Sequence, residues 1–164
     1  MKLQLLAVSA IASQAAFGEQ ARKTTPPAAG PILVAFVITE GATMIDFAGP
    51  WEVFQDVMVG EGMPFRLYTV SDSKAPLRIS GGMQVVPDYT FEDAPRPRIV
   101  VVGAQSGKSP KMLGWIRSMT AQADVVMSVC TGAYRLAQAG VLKEKKATTH
   151  HDFYDDFQKK FPDV

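Results

Sequence analysis

One stretch, Ala123–Gly140, constrains the fold of this chain more than any other, because it joins a strand, a turn and a helix. Its apolar run, VVMSV, predicts a buried strand that stops at Cys130, the single cysteine of the sequence. Apolar residues then recur at helical spacing until Gly140, which predicts a helix that ends there. Gly132 is expected to give the close approach that a sharp strand-to-helix turn requires.

Cys130 has two interpretations at this junction. The free N–H groups and the dipole of the following helix favour a thiolate, which predicts a nucleophile. The alternative is a small, buried and inert residue, because free cysteine is among the most buried residue types. Position alone favours neither. A single cysteine also excludes an internal disulfide and leaves an unpaired thiol to explain.

Further apolar runs alternate with helical patterns along a chain of 164 residues, a length that allows one domain. Strands are predicted at 32–38, 65–71, 85–86 and 98–103. Helices are predicted from Pro50 through Val57, over 110–121, and after Asp152. This alternation predicts an α/β layer fold with a mostly parallel sheet. Asp46 is expected in a loop or short turn past the end of a strand, where open α/β sheets bind ligands; the alternative is a helix-capping or turn residue.

The N-terminus predicts targeting. Lys2, an apolar stretch from Leu3 to Ala16 and small residues before Glu19 predict a signal peptide over residues 1–18. Polar residues interrupt the stretch, so it is a poor membrane span. The alternative is a disordered extension or a weak amphipathic helix. A linker is predicted over 19–31 and the domain over 32–164. With the signal used, the protein is periplasmic or secreted and free of the membrane; otherwise it is cytoplasmic.

Charge and the C-terminal region limit the classes of function. The net charge of +1 gives no reason to expect nucleic acid as a partner. The run His150-His151-Asp152 suggests a metal site, but adjacent histidines without a further ligand at defined spacing are weak, so neither a metal nor a cofactor is expected. A doubly wound sheet usually has further strands and a last helix, so the chain is also compatible with a C-terminally truncated domain.

Two linked segments, LVAFVITEGATMIDFAGPWEVF and SVCTGAYRLAQAGVLKEKKATTH, resemble the DJ-1/PfpI superfamily. The branch they resemble holds isonitrile hydratases and the ligand-binding domains of AraC-type regulators. The resemblance implies a flavodoxin-like three-layer sandwich with a nucleophile elbow. It also implies a homodimer and a small-molecule substrate or ligand.

The resemblance also implies roles for particular residues. Cys130 matches the nucleophile, and Asp46 matches the acidic residue that faces it. Thr131 matches the threonine after the nucleophile, with its side chain bonded within the site and its backbone N–H lining an oxyanion pocket. Peptidase relatives have histidine at that position, so peptidase activity is not expected here.

Departures from the resembled pattern fall at two places. Gly103 and Ala104 stand where the family carries a Pro-Gly-Gly turn; the N–H of Ala104 can still face an anion unless the turn needs a positive φ. His151 stands where a tryptophan is common, which changes the expected pocket. His150 is expected either to support the cysteine or to be a hydrogen-bonded turn residue.

Three hypotheses follow. The first is a cysteine-dependent small-molecule hydratase or lyase resembling isonitrile hydratase, with thiolate addition to an electrophilic carbon. The second is a non-catalytic ligand-sensing domain. The third is a redox-responsive or glyoxalase-like protective protein, whose thiol oxidises to sulfenic acid.

Overall fold

The computed structural model describes residues 30–164, so the predicted signal peptide over 1–18 and most of the predicted linker over 19–31 lie outside the described residues and stay predictions. The strands are β1 (Ile32–Val37), β2 (Phe65–Ser71), β3 (Leu77–Arg78), β4 (Gln84–Val85), β5 (Tyr89–Thr90), β6 (Ile99–Val102) and β7 (Val125–Ser128). The helices are α1 (Met44–Gln55), α2 (Pro110–Thr120), α3 (Gly132–Gln138) and α4 (Tyr154–Lys160), with 3-10 turns at Ser80–Gly82 and His151–Phe153.

Five strands form one parallel sheet in the order β5-β2-β1-β6-β7, and β3 pairs with β4 as a separate antiparallel hairpin. The central strand β1 is apolar on both faces, as a strand covered by helices on two sides must be. Val34 and Phe36 pack toward α1, whereas Ala35 and Val37 pack toward α2 and α3. The predicted α/β three-layer architecture with a mostly parallel sheet is therefore confirmed.

Helix α1 differs from its prediction. It runs unbroken from Met44 to Gln55 with Pro50 inside it, and Asp46 lies in its first turn and not in a loop. The hydrogen bond that Pro50 cannot make is the one to the carbonyl of Asp46, one turn earlier. The Gly49-Pro50 pair therefore costs the helix one bond near its start without ending it.

Strand β7 also differs from its prediction as a buried strand. It lies at an edge of the sheet, paired only with β6, and Val125 is 38% exposed. Its apolar residues still pack inward from alternate faces, Val126 toward α2 and α3 and Met127 toward α1. Within residues 30–164, no helix has the length and apolar character needed to cross a bilayer.

Candidate active site around Cys130 and Asp46

Cys130 occupies the sharp turn between β7 and α3. Its backbone has a φ of 56°, which is uncommon for a residue other than glycine. Two residues later, a Cβ on Gly132 would lie 2.0 Å from the carbonyl oxygen of Val102. The chain therefore turns directly against the end of β6, and only glycine fits at this position.

Asp46 approaches the end of β6 from the opposite helix layer. Its side chain is 5% exposed, and its Oδ2 accepts a 2.9 Å hydrogen bond from the backbone N–H of Ala104. A Cβ on Gly103 would lie 2.8 Å from the Cβ of Asp46, while a Cβ on Gly132 would lie 3.0 Å from the carbonyl carbon of Gly103. Gly103 is thus packed between the Asp46 side chain and Gly132 at the start of α3, two residues after the predicted nucleophile.

Ala104 is accommodated in this turn because the turn does not require a positive φ there; the described non-glycine residues with positive φ are Cys130 and Glu144. Its N–H, however, already donates to Asp46. The oxyanion role predicted for Ala104 therefore requires Asp46 to release that N–H. In the described part of the chain, the backbone N–H groups of Cys130 and Thr131 donate no hydrogen bond to the protein, so they are the free donors beside the thiol.

Thr131 precedes the first residue of α3, and its side chain makes no capping hydrogen bond. Its carbonyl accepts from the N–H of Tyr134 at 3.0 Å. The predicted hydrogen bond of the Thr131 side chain within the site is absent from the described contacts, so its catalytic role stays a prediction.

A cavity of about 240 Å³ lies beside Cys130, at the free edge of β7. Its walls combine apolar side chains, hydroxyl groups and one ammonium group: Val126, Ser128, Cys130, Leu136, Leu142, Lys146, Ala147, Thr148 and Thr149. Thr149 donates from its hydroxyl to the carbonyl of Cys130 at 3.3 Å. Cys130 itself is half-buried, so a small molecule can reach this part of the turn.

His150 makes its side-chain contacts within its own turn. Its Nδ1 accepts a 3.3 Å hydrogen bond from the N–H of Asp152, and its ring stacks on His151 at 4.2 Å. One ligand atom from each of His150, His151 and Asp152 lies within 4.8 Å of the others. Two adjacent histidines and one exposed aspartate are a weak ligand set, and we assign no metal to this cluster.

Two polar side chains behind the turn were not predicted. Gln105 is 9% exposed, and Arg135 of α3 donates to the carbonyl of Gln105 at 2.6 Å. Burial lowers the pKa of Arg135. The only sequence signal for Gln105 is its place directly after the end of β6, and Arg135 lies on an otherwise ordinary helix.

This arrangement has counterparts among known proteins. The model of the DJ-1/PfpI family matches residues 33–163. The chain belongs to the DJ-1/PfpI family. The parallel sheet, the strained cysteine turn and the helical layers described above are thus this chain's form of the family's domain.

Two relatives of known description are similar to this chain. Isonitrile hydratase of Pseudomonas putida is 34% identical over an alignment of 127 positions, and the match covers 74% of this chain and 54% of that protein. The transcriptional regulator GbdR of Pseudomonas aeruginosa is 26% identical over an alignment of 144 positions, and the match covers 85% of this chain and 39% of the regulator. The chain thus spans about half the length of the hydratase, and less of the regulator.

A solved structure, an AraC family transcriptional regulator from Pseudomonas putida, superposes with a TM-score of 0.67 at 19% identity, covering 81% of this chain and 74% of the regulator chain. At that identity the likeness concerns the fold alone. Similarity to both a hydratase and regulators is established for this DJ-1/PfpI chain, and the choice between catalysis and sensing rests on the site.

Proposed function

We propose that this protein is a cysteine-dependent hydratase of small isonitriles, with Cys130 as nucleophile and Asp46 as proton-transfer group. One observation carries the proposal: Gly132 of the thiol-bearing turn and the Cβ of the buried Asp46 both lie close against the same residue, Gly103. The 34% identity to an isonitrile hydratase supports the same substrate class. Cys130 also has a strained backbone at the end of a parallel strand. Such a turn is typical of a nucleophile, because it holds the reactive side chain ahead of the following helix.

The chemistry needs one sulfur and one movable proton. The sulfur of Cys130 adds to the terminal carbon of R–N≡C while one proton is delivered to that carbon, giving an enzyme-bound thioimidate. Water then adds its oxygen to the same carbon and one proton to the nitrogen; the C–S bond breaks, the sulfur regains its electron pair, and the remaining hydroxyl proton returns to the carboxylate of Asp46. The product is the N-substituted formamide, R–NH–CHO, and the sum is the addition of one water.

Asp46 is the group proposed to move those protons. Its Oδ2 is engaged by Ala104 at 2.9 Å, and in the described part of the chain its second oxygen accepts no hydrogen bond from the protein. One oxygen therefore fixes the carboxyl group while the other is free to exchange a proton with substrate or water. The unengaged N–H groups of Cys130 and Thr131 would stabilise negative charge that develops during water addition.

The test is turnover of a small alkyl isonitrile to its formamide, followed by NMR or chromatography. Cys130→Ser and Asp46→Asn are each expected to lower the rate at least about a hundredfold, the scale of losing a positioned proton-transfer group. Asp56→Asn, at the exposed C-terminal end of α1, is the matched control and is expected to keep the wild-type rate. Equal turnover by wild type and Cys130→Ser would remove the proposal.

A second candidate is a non-catalytic ligand-sensing domain, because regulators are also among the relatives. It predicts saturable binding of a small molecule without consumption. Calorimetric titration of the wild type and Cys130→Ser separates the two: a sensor binds equally in both and releases no formamide. Turnover of methylglyoxal in the same assay would identify a glyoxalase-like activity instead, and a Cys130 sulfenic acid detected by mass spectrometry after mild peroxide would support the redox-responsive alternative.

We also propose a homodimer, as the family resemblance implies, and a small molecule as the partner. Size-exclusion chromatography with light scattering decides this directly. A mass twice that of the chain supports the dimer, and a monomeric mass across the micromolar range contradicts it.

A further inference from the structure

We infer that Gln105 and Arg135 are positioning residues that hold the Gly103–Ala104 turn, and through it the Asp46 carboxylate, in fixed relation to Cys130. This inference rests on the proposed function only for the roles of Asp46 and Cys130. Neither residue touches the reacting atoms in the proposed chemistry. Both act through the main chain of the turn.

Gln105 uses its whole side-chain amide to bind the turn to the end of β1. Its Oε1 accepts a 2.7 Å hydrogen bond from the hydroxyl of Thr39, which is 3% exposed. Its Nε2 donates to the carbonyls of Val37 and Gly103, each at 3.3 Å. A buried amide with donors and acceptor satisfied is fixed in orientation, since any rotation leaves a buried polar group unpaired.

The turn transmits this constraint to α1 through Ala104. The carbonyl of Ala104 accepts from the N–H of Thr43 at 2.8 Å, and its N–H donates to Asp46 at 2.9 Å. Ala104 is thus bonded twice to the start of α1. A shift of the turn would break the bond that orients the Asp46 carboxyl group.

Arg135 binds the same segment from α3, the helix that follows the proposed nucleophile. Its Nη2 donates to the carbonyls of Gln105 at 2.6 Å and Ser106 at 3.4 Å, while Nη1 donates to Gln138 at 2.9 Å. Among the described residues, no carboxylate lies within 4.0 Å of this guanidinium, and its buried Nε has no hydrogen-bond partner. Because this half-buried guanidinium has no carboxylate partner among those residues, what it supplies to the loop is its two hydrogen bonds to the carbonyls of Gln105 and Ser106.

Both sets of hydrogen bonds involve Gln105. The side chain of Gln105 is hydrogen-bonded near the end of β1. Its carbonyl accepts a hydrogen bond from α3, the helix that begins directly after Cys130 and Thr131. The loop between them therefore couples the position of Asp46 to that of the nucleophile turn. Removing either set of hydrogen bonds is expected to increase the local motion of Ala104 without unfolding the sheet.

The first test reads the Ala104 amide directly, by hydrogen exchange followed with NMR. Gln105→Leu keeps the side-chain volume and loses all three bonds, and we expect exchange at Ala104 at least about tenfold faster. Arg135→Lys keeps the charge and loses the fork, with a smaller acceleration. Two matched controls should leave the exchange rate of Ala104 unchanged. Gln122→Leu removes an exposed glutamine that donates to the carbonyl of Ser118. Arg117→Lys removes an arginine whose Nε donates to the carbonyl of Ala139 at 2.9 Å.

Amides of β1 serve as the internal reference for global stability. If exchange at Val34–Phe36 rises as much as exchange at Ala104, Gln105 acts on the whole fold and the inference is overturned. If Ala104 exchanges at the wild-type rate in Gln105→Leu, the inference is also overturned.

The second test is the pH profile of Cys130 alkylation by iodoacetamide, which is clean because the chain has one cysteine. We expect Gln105→Leu to move the profile toward that of Asp46→Asn, and the double variant to add nothing further. If Asp46→Asn moves the profile and Gln105→Leu does not, the inference fails while the proposed function stands. If Asp46→Asn leaves the profile unchanged, the proposed function loses its acid, and exchange at Ala104 alone decides the inference.

Discussion

The two halves of the candidate site are built differently. The acid half, made of Asp46 with Gly103 and Ala104, is buried: the carboxylate is 5% exposed and hydrogen-bonded at 2.9 Å. The thiol half, made of Cys130 with Thr149 and β7, lies at an edge of the sheet, with Cys130 half-buried and a single longer bond of 3.3 Å from Thr149 to its carbonyl. The proposed proton-transfer group is thus enclosed, whereas the proposed nucleophile is half-buried.

This difference indicates where each half is stabilised. The acid half depends on packing and hydrogen bonds within the described domain, so changes there should lower the free energy of unfolding. The thiol half carries backbone strain at a φ of 56° with few bonds, so changes there should alter reactivity more than stability. Substitutions in the two halves can test this division.

The largest effect is expected at Gly132, where the halves meet. Gly132→Ala would place a Cβ 2.0 Å from the Val102 carbonyl oxygen, a contact between two backbones that no side-chain rotation relieves. We expect a loss of about 3 kcal/mol or more in the free energy of unfolding, measured by urea denaturation. The control is Gly114→Ala inside α2, where nothing lies within 4 Å, and which should gain about 0.5–1 kcal/mol from helix propensity. A wild-type midpoint for Gly132→Ala would contradict this packing.

In the acid half, Gly103→Ala is expected to cost about 1–3 kcal/mol because its Cβ would meet the Cβ of Asp46 at 2.8 Å. The contact is with the near end of a side chain fixed on α1, so relief requires α1 to move. Isonitrile turnover should fall with the stability, because the displaced carboxylate is the proposed proton-transfer group. Unchanged stability together with unchanged turnover would show that α1 is not held at this distance.

The hydrogen bond to Ala104 separates the role of Asp46 in stability from its role in chemistry. Asp46→Ala leaves a buried N–H unpaired and is expected to cost about 1–3 kcal/mol, whereas Asp46→Asn keeps an acceptor and should cost less than half as much. Thr149→Val, the corresponding change in the thiol half, is expected to cost at most about 1 kcal/mol. Urea midpoints decide, and a larger loss for Thr149→Val than for Asp46→Ala would reverse the comparison.

Strain in the thiol half has its own test. Glycine adopts a φ of 56° without the Cβ penalty, so Cys130→Gly is expected to be about 1 kcal/mol more stable than Cys130→Ala. Both variants lack the thiol, so turnover does not enter the comparison. Equal thermal midpoints for the two variants would show that the turn relaxes when the sulfur is absent.

Local periodicity is enough to predict the elements around this site. β2 and α2 fall at 65–71 and 110–120, close to the predicted 65–71 and 110–121, because their apolar spacing and the Ser109-Pro110 start are local signals. Pro50 misled the prediction of α1, since a proline near Gly49 usually marks a helix start and here lies within a helix. The edge position of β7 was missed because an apolar run is the same for central and edge strands.

The partners of the site lie beyond what a sequence pattern can show. Thr39 and Gln105 are 66 positions apart, and neither belongs to a motif. The pairings of β3 with β4 and of β5 with β2 involve two residues each, too few to produce a period. Cys130 and Asp46 were singled out by their positions after predicted strands and given their roles by the resemblance, whereas their supporting contacts required the fold.

The smallest effect is expected for α4, which contacts α3, the helix that follows the thiol half. The hydroxyl of Tyr134 on α3 donates to Asp156 on α4 at 2.6 Å. Burial, and then this bond, raise the pKa of Tyr134 to about 12, while the bond from Tyr134, and then Lys160, lower the pKa of Asp156. The interaction is therefore complete between the ordinary pKa values of the two groups, about 4 and about 10.

The sign of the pH dependence follows from these directions. Below about pH 4 Asp156 takes up a proton first in the unfolded chain, and its contribution to stability is lost as the pH falls through its lowered folded pKa. Above about pH 10 the unfolded chain loses the Tyr134 proton first, and stability falls again. Tyr134→Phe should thus lower the urea midpoint slightly at pH 7 and by a smaller amount at pH 3, with Tyr154→Phe, an exposed tyrosine, as the control. If Tyr134→Phe lowers the midpoint equally at both pH values, the hydrogen bond is not what holds α4. The packing of Phe157 and Phe161 on the Tyr134 ring then holds it. In that case the thiol half has an apolar support where the acid half has a polar one.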